Sequence, residues 1–308
     1  MPVPHGRAVA RIRVLTAALV VAVATTPLAA CAPSTPGTPP VATAPTPAAT
    51  EDAAAGVARG TGLKPVVNTW AERRIVDDAA AGSLVVAPPH RNGALAVFVH
   101  GSGEGRRTIV DDRRQSGVVH DLVEHGYVVL AADAGGRAWG DAASVADYRT
   151  LIARTERAYG LHDVFLMAES MGGLATMRLA RTVPGVRAVT AWYPVYDLRT
   201  MATKHRFAGW IRRDWAGADR SVVSPVAVPR VPMMIWASAH DTVVSAALNA
   251  RRLAAAERAA GGSVVYTPTI GNHGDASNFH PAAVVRFFDA HRLQTVLRSA
   301  SATGTRKA

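Results

Sequence analysis

The sequence predicts an α/β fold, a mostly parallel central sheet with helices on both faces, and three observations carry that expectation. Short apolar runs alternate with longer helix-like segments, the pattern of β-α-β units. Several runs are apolar at successive rather than alternate positions, as suits strands covered on both sides. The residues with chemical reach gather just after these runs, in HGSGEG, DAGGRAWG, ESMGG, YPVYD, ASAHDTVV and TIGNHGD. In a parallel sheet those are the loops that share one crevice at the carboxyl edge.

The elements follow in order. SLVVAP (83–88) and ALAVFVH (94–100) read as strands joined by a PHRNG turn. YVVLAAD (127–133), DVFLMAE (163–169), VRAVTAWYP (186–194), VPMMIWAS (231–238) and SVVYTPT (263–269) read as the remaining strands. Helices are expected at about 115–125, 144–159, 171–182, 245–260 and 281–295. Residues 197–230 form the one sizeable insertion, long enough for a pair of short helices but not for a large lid domain.

The ends of the chain lie outside this domain. Residues 1–30 combine a start carrying Arg7, Arg11 and Arg13, a short apolar stretch and small residues, which is the make-up of a secretory signal peptide. The stretch is short for a membrane-spanning helix. Leu28–Cys31, L-A-A-C, resembles the lipobox of bacterial lipoproteins. That resemblance implies cleavage before Cys31, lipidation of its thiol and an extracytoplasmic, membrane-anchored location. Cys31 is the single cysteine of the chain, so no internal disulfide is expected. Residues 31–60, rich in Pro, Ala and Thr, read as a tether, 61–298 as the folded domain and 299–308 as a flexible polar tail.

The net charge of +11 falls to about +8 without the three arginines of residues 1–30. The arginines are spread as pairs such as Arg73/Arg74 and Arg251/Arg252, with no aromatic-interleaved basic block. The charge therefore suits solubility or an anionic envelope surface rather than nucleic acid.

Ser170 stands between a strand-like run and a helix-like one in AESMGG, close to the nucleophile pattern G-x-S-x-G but with Ala168 at the first glycine. The tight turn needs small residues around the serine, and alanine adds only a methyl. His273 in GNHGD and Asp241 in AHDTVV follow the last two strands, so the chain order is Ser, Asp, His. A serine hydroxyl needs a base to become a nucleophile, and an imidazole needs a carboxylate to fix its tautomer. The Met171 amide and that of Ser102 or Gly103 in HGSG are candidate donors to an oxyanion.

Rivals exist for each role. Ser170 would also serve as a helix N-cap. Asp197, after the AWYPVY run, is the alternative acid, and His280 the alternative base. His100 reads as a brace of the HGSG loop, His240 as a neighbour of Asp241, and Asp275 as a brace of the histidine loop. Glu169 reads as a surface or loop-bracing carboxylate, with lining of the pocket as the alternative, and Trp139, Trp192, Trp210 and Trp215 as core residues or pocket walls.

In these motifs the stretch from about 83 to 293 resembles the α/β-hydrolase superfamily, near its prolyl-oligopeptidase-like and dienelactone-hydrolase-like esterases. VFVHGSG resembles the oxyanion loop, AESMGG the nucleophile elbow, SPVAVPRVPMMIWASAHDTVV the acid loop and GNHGD the histidine loop. The resemblance implies a serine hydrolase without metal or organic cofactor and fixes no substrate; the short insertion over 197–230, with no room for a lid domain, favours a small or exposed ester. Peptide hydrolysis, acyl transfer and a non-catalytic binding role on the same fold remain as alternatives.

Overall fold

The structure, a computed structural model, describes residues 68–214 and 224–304. The expected signal peptide, Cys31 and the tether lie outside the described residues, as do Trp215 and 305–308.

Eight strands form one sheet: β1 (Arg74–Asp78), β2 (Ser83–Ala87), β3 (Ala94–Val99), β4 (Val128–Ala132), β5 (Asp163–Glu169), β6 (Val186–Trp192), β7 (Met233–Ser238) and β8 (Val264–Thr269). Their order is β1-β2-β4-β3-β5-β6-β7-β8. The two pairings β1–β2 and β2–β4 are antiparallel and all later ones parallel. Because β4 lies between β2 and β3, the PHRNG segment is a crossing and not a hairpin turn. Asn92 fastens it to the turn that enters β4, its amide donating to the His125 carbonyl at 2.7 Å and its N–H to that of Gly126 at 2.9 Å.

The helices are α1 (Thr108–Asp111), α2 (Arg113–Glu124), α3 (Ala142–Tyr159), α4 (Gly172–Thr182), α5 (Leu198–Ala202), α6 (His205–Asp214), α7 (Ala250–Ala259) and α8 (Pro281–Gly304). Local chemistry sets their ends. Asp112 and Asp141 cap α2 and α3 by accepting from the Arg114 and Ser144 amides, at 2.8 and 2.7 Å. Gly160 closes α3 in the left-handed conformation at φ +67°. The helix expected over 245–260 starts only at Ala250, because Ser245 closes a turn by accepting from Leu248 and Asn249. The last helix runs to Gly304, into the stretch that reads as a polar tail from 299.

β1 and α1 have no counterpart in the sequence reading. β1 is an edge strand with an exposed, charged pattern, and α1 is a single turn. By contrast β2 to β5 are buried at every position, which places the core at the centre of the sheet. Among its described residues the insertion forms two short helices, α5 and α6; residues 215–223 are outside the described ones.

Candidate active site

Ser170 lies one residue past the end of β5 and two before α4, with φ at +49°. Non-glycine residues seldom hold that backbone, and here it is over-determined. The Ser170 N–H donates to the Trp192 carbonyl at 3.1 Å. Its carbonyl accepts from Gly173 at 3.1 Å and Val195 at 2.7 Å. Among the described residues no N–H of α4 donates to the Ser170 hydroxyl, so it is not a cap. Instead Ser170 Oγ lies 3.0 Å from His273 Nε2.

His273 stands in the loop after β8, and its other ring nitrogen, Nδ1, lies 2.8 Å from Asp241 Oδ2. Asp241 follows β7 with its side chain almost wholly buried. Its second oxygen accepts from the Val243 and Val244 N–H groups, each at 2.8 Å. The carboxylate is therefore held by backbone, and it orients the imidazole with Nε2 toward the serine.

Asp197, the rival acid, is engaged elsewhere. It is buried against Arg199 at 2.7 Å, Arg252 at 3.0 Å and Ser224 at 2.8 Å, and it caps α5. The Arg199 hydrogen bonds hold its carboxyl well below the usual carboxylate range, against the opposing effect of burial. His280 stacks on Trp236 at 5.5 Å, and the exposed His240 makes no contact with Ser170 among the described residues. His100 is buried, its ring nitrogens 2.7 and 3.0 Å from the carbonyls of Gly101 and Asp133, so it braces the loop after β3. Asp275 caps a turn of the histidine loop by accepting from Ser277 N–H at 2.8 Å.

The Met171, Ser102 and Gly103 N–H groups donate to no acceptor among the described residues. Met171 stands at the N-terminus of α4, where backbone N–H groups and the helix dipole favour negative charge. Gly103 takes φ +92°, which only glycine holds without strain. The Gly101 N–H, in contrast, is occupied by Glu104 Oε2 at 2.7 Å.

A cavity of about 260 Å³ opens over Ser170, walled by Ser102, Trp139, Met201, Arg206 and Phe207 beside His273. Three of these come from the α5–α6 insertion. Trp139 and Phe207 meet edge to face at 5.3 Å, and Trp210 adds a third ring 6.0 Å from Phe207. Trp192 is a core residue packed on Trp236 and Phe279. Among the described residues no group of three His, Cys, Asp or Glu side chains is placed to hold a metal ion, and no helix is long and apolar enough to cross a membrane.

One expectation is corrected. Glu169 is not a surface carboxylate: it is 3% exposed, bonded to Tyr193 and Gln115. Burial, reinforced by the Glu104 carboxylate, pushes its carboxyl up to about 8, although those hydrogen bonds and Arg114 pull the other way. The need for small residues at the serine turn is met on its helix side by close backbone contacts. A methyl on Gly172 would overlap the Val99 carbonyl at the end of β3, and one on Gly173 would overlap that of Val195. Ala168 is itself fully buried, paired between Val99 and Ala191.

Gln115 is a residue of the site outside the expected set. A signal was present: it occupies the buried stripe of α2 with Val118, Val119 and Leu122, at spacings of three, four and seven. A polar residue on such a stripe needs a buried partner.

No protein-family model and no curated protein matches the sequence. Solved structures do match its fold. Acylaminoacyl peptidase from Pyrococcus horikoshii is similar over 65% of this chain and 36% of its own, at 13% identity and TM-score 0.51. A puromycin-hydrolysing peptidase of Mycobacterium tuberculosis is similar over 70% of this chain and 38% of its own, at 21% identity and TM-score 0.54. Inhibited esterase B from Lactobacillus rhamnosis is similar over 71% of this chain and 84% of its own, at 17% identity and TM-score 0.55. The chain thus spans a little over a third of the length of the two peptidases. The eight-stranded, mostly parallel sheet with its flanking helices is an α/β-hydrolase fold.

Proposed function

We propose that this chain is a serine hydrolase, a carboxylic-ester hydrolase that works through an acyl-enzyme on Ser170. The observation that carries the reading is the hydrogen-bonded chain Ser170–His273–Asp241, at 3.0 and 2.8 Å, with the serine on a positive-φ turn. His273 Nε2 takes the hydroxyl proton as Ser170 Oγ attacks the carbonyl carbon. Asp241 stabilises the imidazolium that forms, and the N–H groups of Met171 and of Ser102 or Gly103 hold the oxyanion. His273 then gives the proton to the leaving alcohol. Water, deprotonated by the same ring, releases the acid and restores Ser170.

A cavity of about 260 Å³ supports a small acyl or alcohol group over a long lipid chain. The named activities of the structural neighbours include both ester and peptide hydrolysis. The esterase is matched over 84% of its length and the two peptidases over 36% and 38%. Residues 1–31 support secretion and anchoring to a membrane by a lipid on Cys31, with the ester substrate met outside the cytoplasm.

The test is the purified protein against p-nitrophenyl esters of graded chain length and a fluorophosphonate probe. Short esters are hydrolysed and Ser170 is labelled; the Ser170→Ala variant does neither. Equal hydrolysis or labelling by Ser170→Ala removes the assignment. A fatty-acid label lost in Cys31→Ser tests the anchor.

A further inference from the structure

Beneath the Ser170–His273 pair lies a buried polar network that the steps above do not use. Glu169, one residue before the serine, accepts from the Tyr193 hydroxyl on one oxygen and from the Gln115 amide on the other. Tyr193 is 1% exposed and holds φ +37°, with its N–H on the Trp236 carbonyl at 2.7 Å. Its ring centroid lies 4.3 Å from that of His273, the planes inclined at 55°. The helix that brings Gln115 also brings Arg114, whose guanidinium donates to the carbonyl of Gly274, next to the imidazole-bearing residue. Glu169 is thus joined to the histidine loop by a second route, independent of the Ser170–His273 bond.

We infer that Glu169 and Tyr193 are a positioning pair for the base: the carboxyl beside the nucleophile pins the Tyr193 ring, and the ring fixes the plane of His273 against Ser170. This rests on the reading of Ser170 and His273 as nucleophile and base. A strained backbone at Tyr193 and a carboxyl taken out of water are both costly, and such costs persist where surrounding structure uses them. The Tyr193 ring also lies against the imidazole at the step where that ring turns cationic, an attraction water screens only in part because the His273 side chain is 20% exposed. The pair therefore acts on the chemical step more than on substrate binding. The groups facing Glu169 are Gln115 and Arg114 from α2, Glu104 from the loop after β3 and Tyr193 from the loop after β6, with His273 across the ring.

The experiment uses the full-length chain with a short p-nitrophenyl ester, and NMR of the His273 side chain. Tyr193→Phe keeps the ring and loses its anchor; kcat falls about tenfold with KM unchanged. Glu169→Leu falls about a hundredfold, on the scale that small misplacements of reacting groups cost, and Glu169→Gln recovers the greater part. In the wild type the imidazole signals carry a second, smaller inflection near pH 8 as Glu169 ionises, and Glu169→Gln loses it. Unchanged kcat in Tyr193→Phe and Glu169→Leu, with only the melting temperature lowered, overturns the inference. So do His273 ring signals at the same positions in wild type, Tyr193→Phe and Glu169→Leu. Should Glu169→Leu fail to fold, the Phe and Gln variants decide. Failure of the parent reading looks different: wild-type Ser170 then takes up no fluorophosphonate, while the NMR titration still reports whether Glu169 and His273 are coupled.

Discussion

His273 Nδ1 lies 2.8 Å from Asp241 Oδ2, across 32 residues of sequence, and Asp197 has no part in that contact. The two aspartates are both buried and both follow strands, yet their partners differ in kind. Asp241 faces an imidazole and two backbone N–H groups, whereas Asp197 faces two arginines and a serine hydroxyl.

Asp241→Asn and Asp197→Asn should therefore separate function from stability. Asp241→Asn leaves the imidazole without its orienting acceptor and is expected to lower kcat by about 10⁴ with the fold kept. Asp197→Asn is expected to lower stability by about 2 kcal/mol, below the range for a fully buried pair because both arginines reach solvent, with kcat within a few-fold of wild type. Ester kinetics beside urea unfolding checks both.

The turn around Ser170 gives a graded series. Ala168→Gly should keep hydrolysis and lose about 1 kcal/mol of stability through strand flexibility. Ala168→Val adds two methyl groups at a fully buried position between Val99 and Ala191, and about 1–3 kcal/mol of overpacking is expected. Gly172→Ala should be the least active of the three, because its methyl drives into the Val99 carbonyl, at the base of the loop that carries Ser102 and Gly103. Ester kinetics on the three variants should give kcat falling from Ala168→Gly through Ala168→Val to Gly172→Ala. Any other order would count against this account of the turn.

Glu169 makes stability depend on pH with a definite sign. Its carboxyl is raised from 4.5 to about 8 in the folded state. Between those values the folded protein holds a proton that the unfolded chain has released, so this group's contribution falls as pH rises and levels off above about 8. Glu169→Gln removes the titration. Its melting temperature relative to wild type should climb between pH 5 and pH 8; a difference that is flat over that window contradicts a neutral buried carboxyl.

The α5–α6 insertion walls the cavity through Met201, Arg206 and Phe207, so substrate length should be set there. Phe207→Ala is expected to shift the preferred p-nitrophenyl ester toward longer acyl chains, with labelling of Ser170 by fluorophosphonate retained. An unchanged chain-length profile would place the acyl group elsewhere.

How much of this was legible depended on the range over which the signal acts. The buried strands β2 to β5 announced themselves because continuous apolar runs have no other stable place. The edge strand β1, RIVDD, carries the charges an exposed edge requires, and those charges hide it. Ser170, Asp241 and His273 were readable because each sits in a short polar loop directly after a strand, and a parallel sheet brings such loops to one edge. Glu169 was misread because its neighbours in sequence say nothing of Gln115, 54 residues away, or Tyr193, 24 away.

By itself the sequence determined the sheet's central strands, the residue types of the site and their order, since these follow from local hydrophobicity and from chemistry tied to strand ends. Only the tertiary structure decided which aspartate meets the imidazole, that Gly172 lies tight against the Val99 carbonyl, and that Glu169 is enclosed. Those outcomes depend on distances between segments far apart in the chain, fixed by strand order and by which groups the closed core leaves without water.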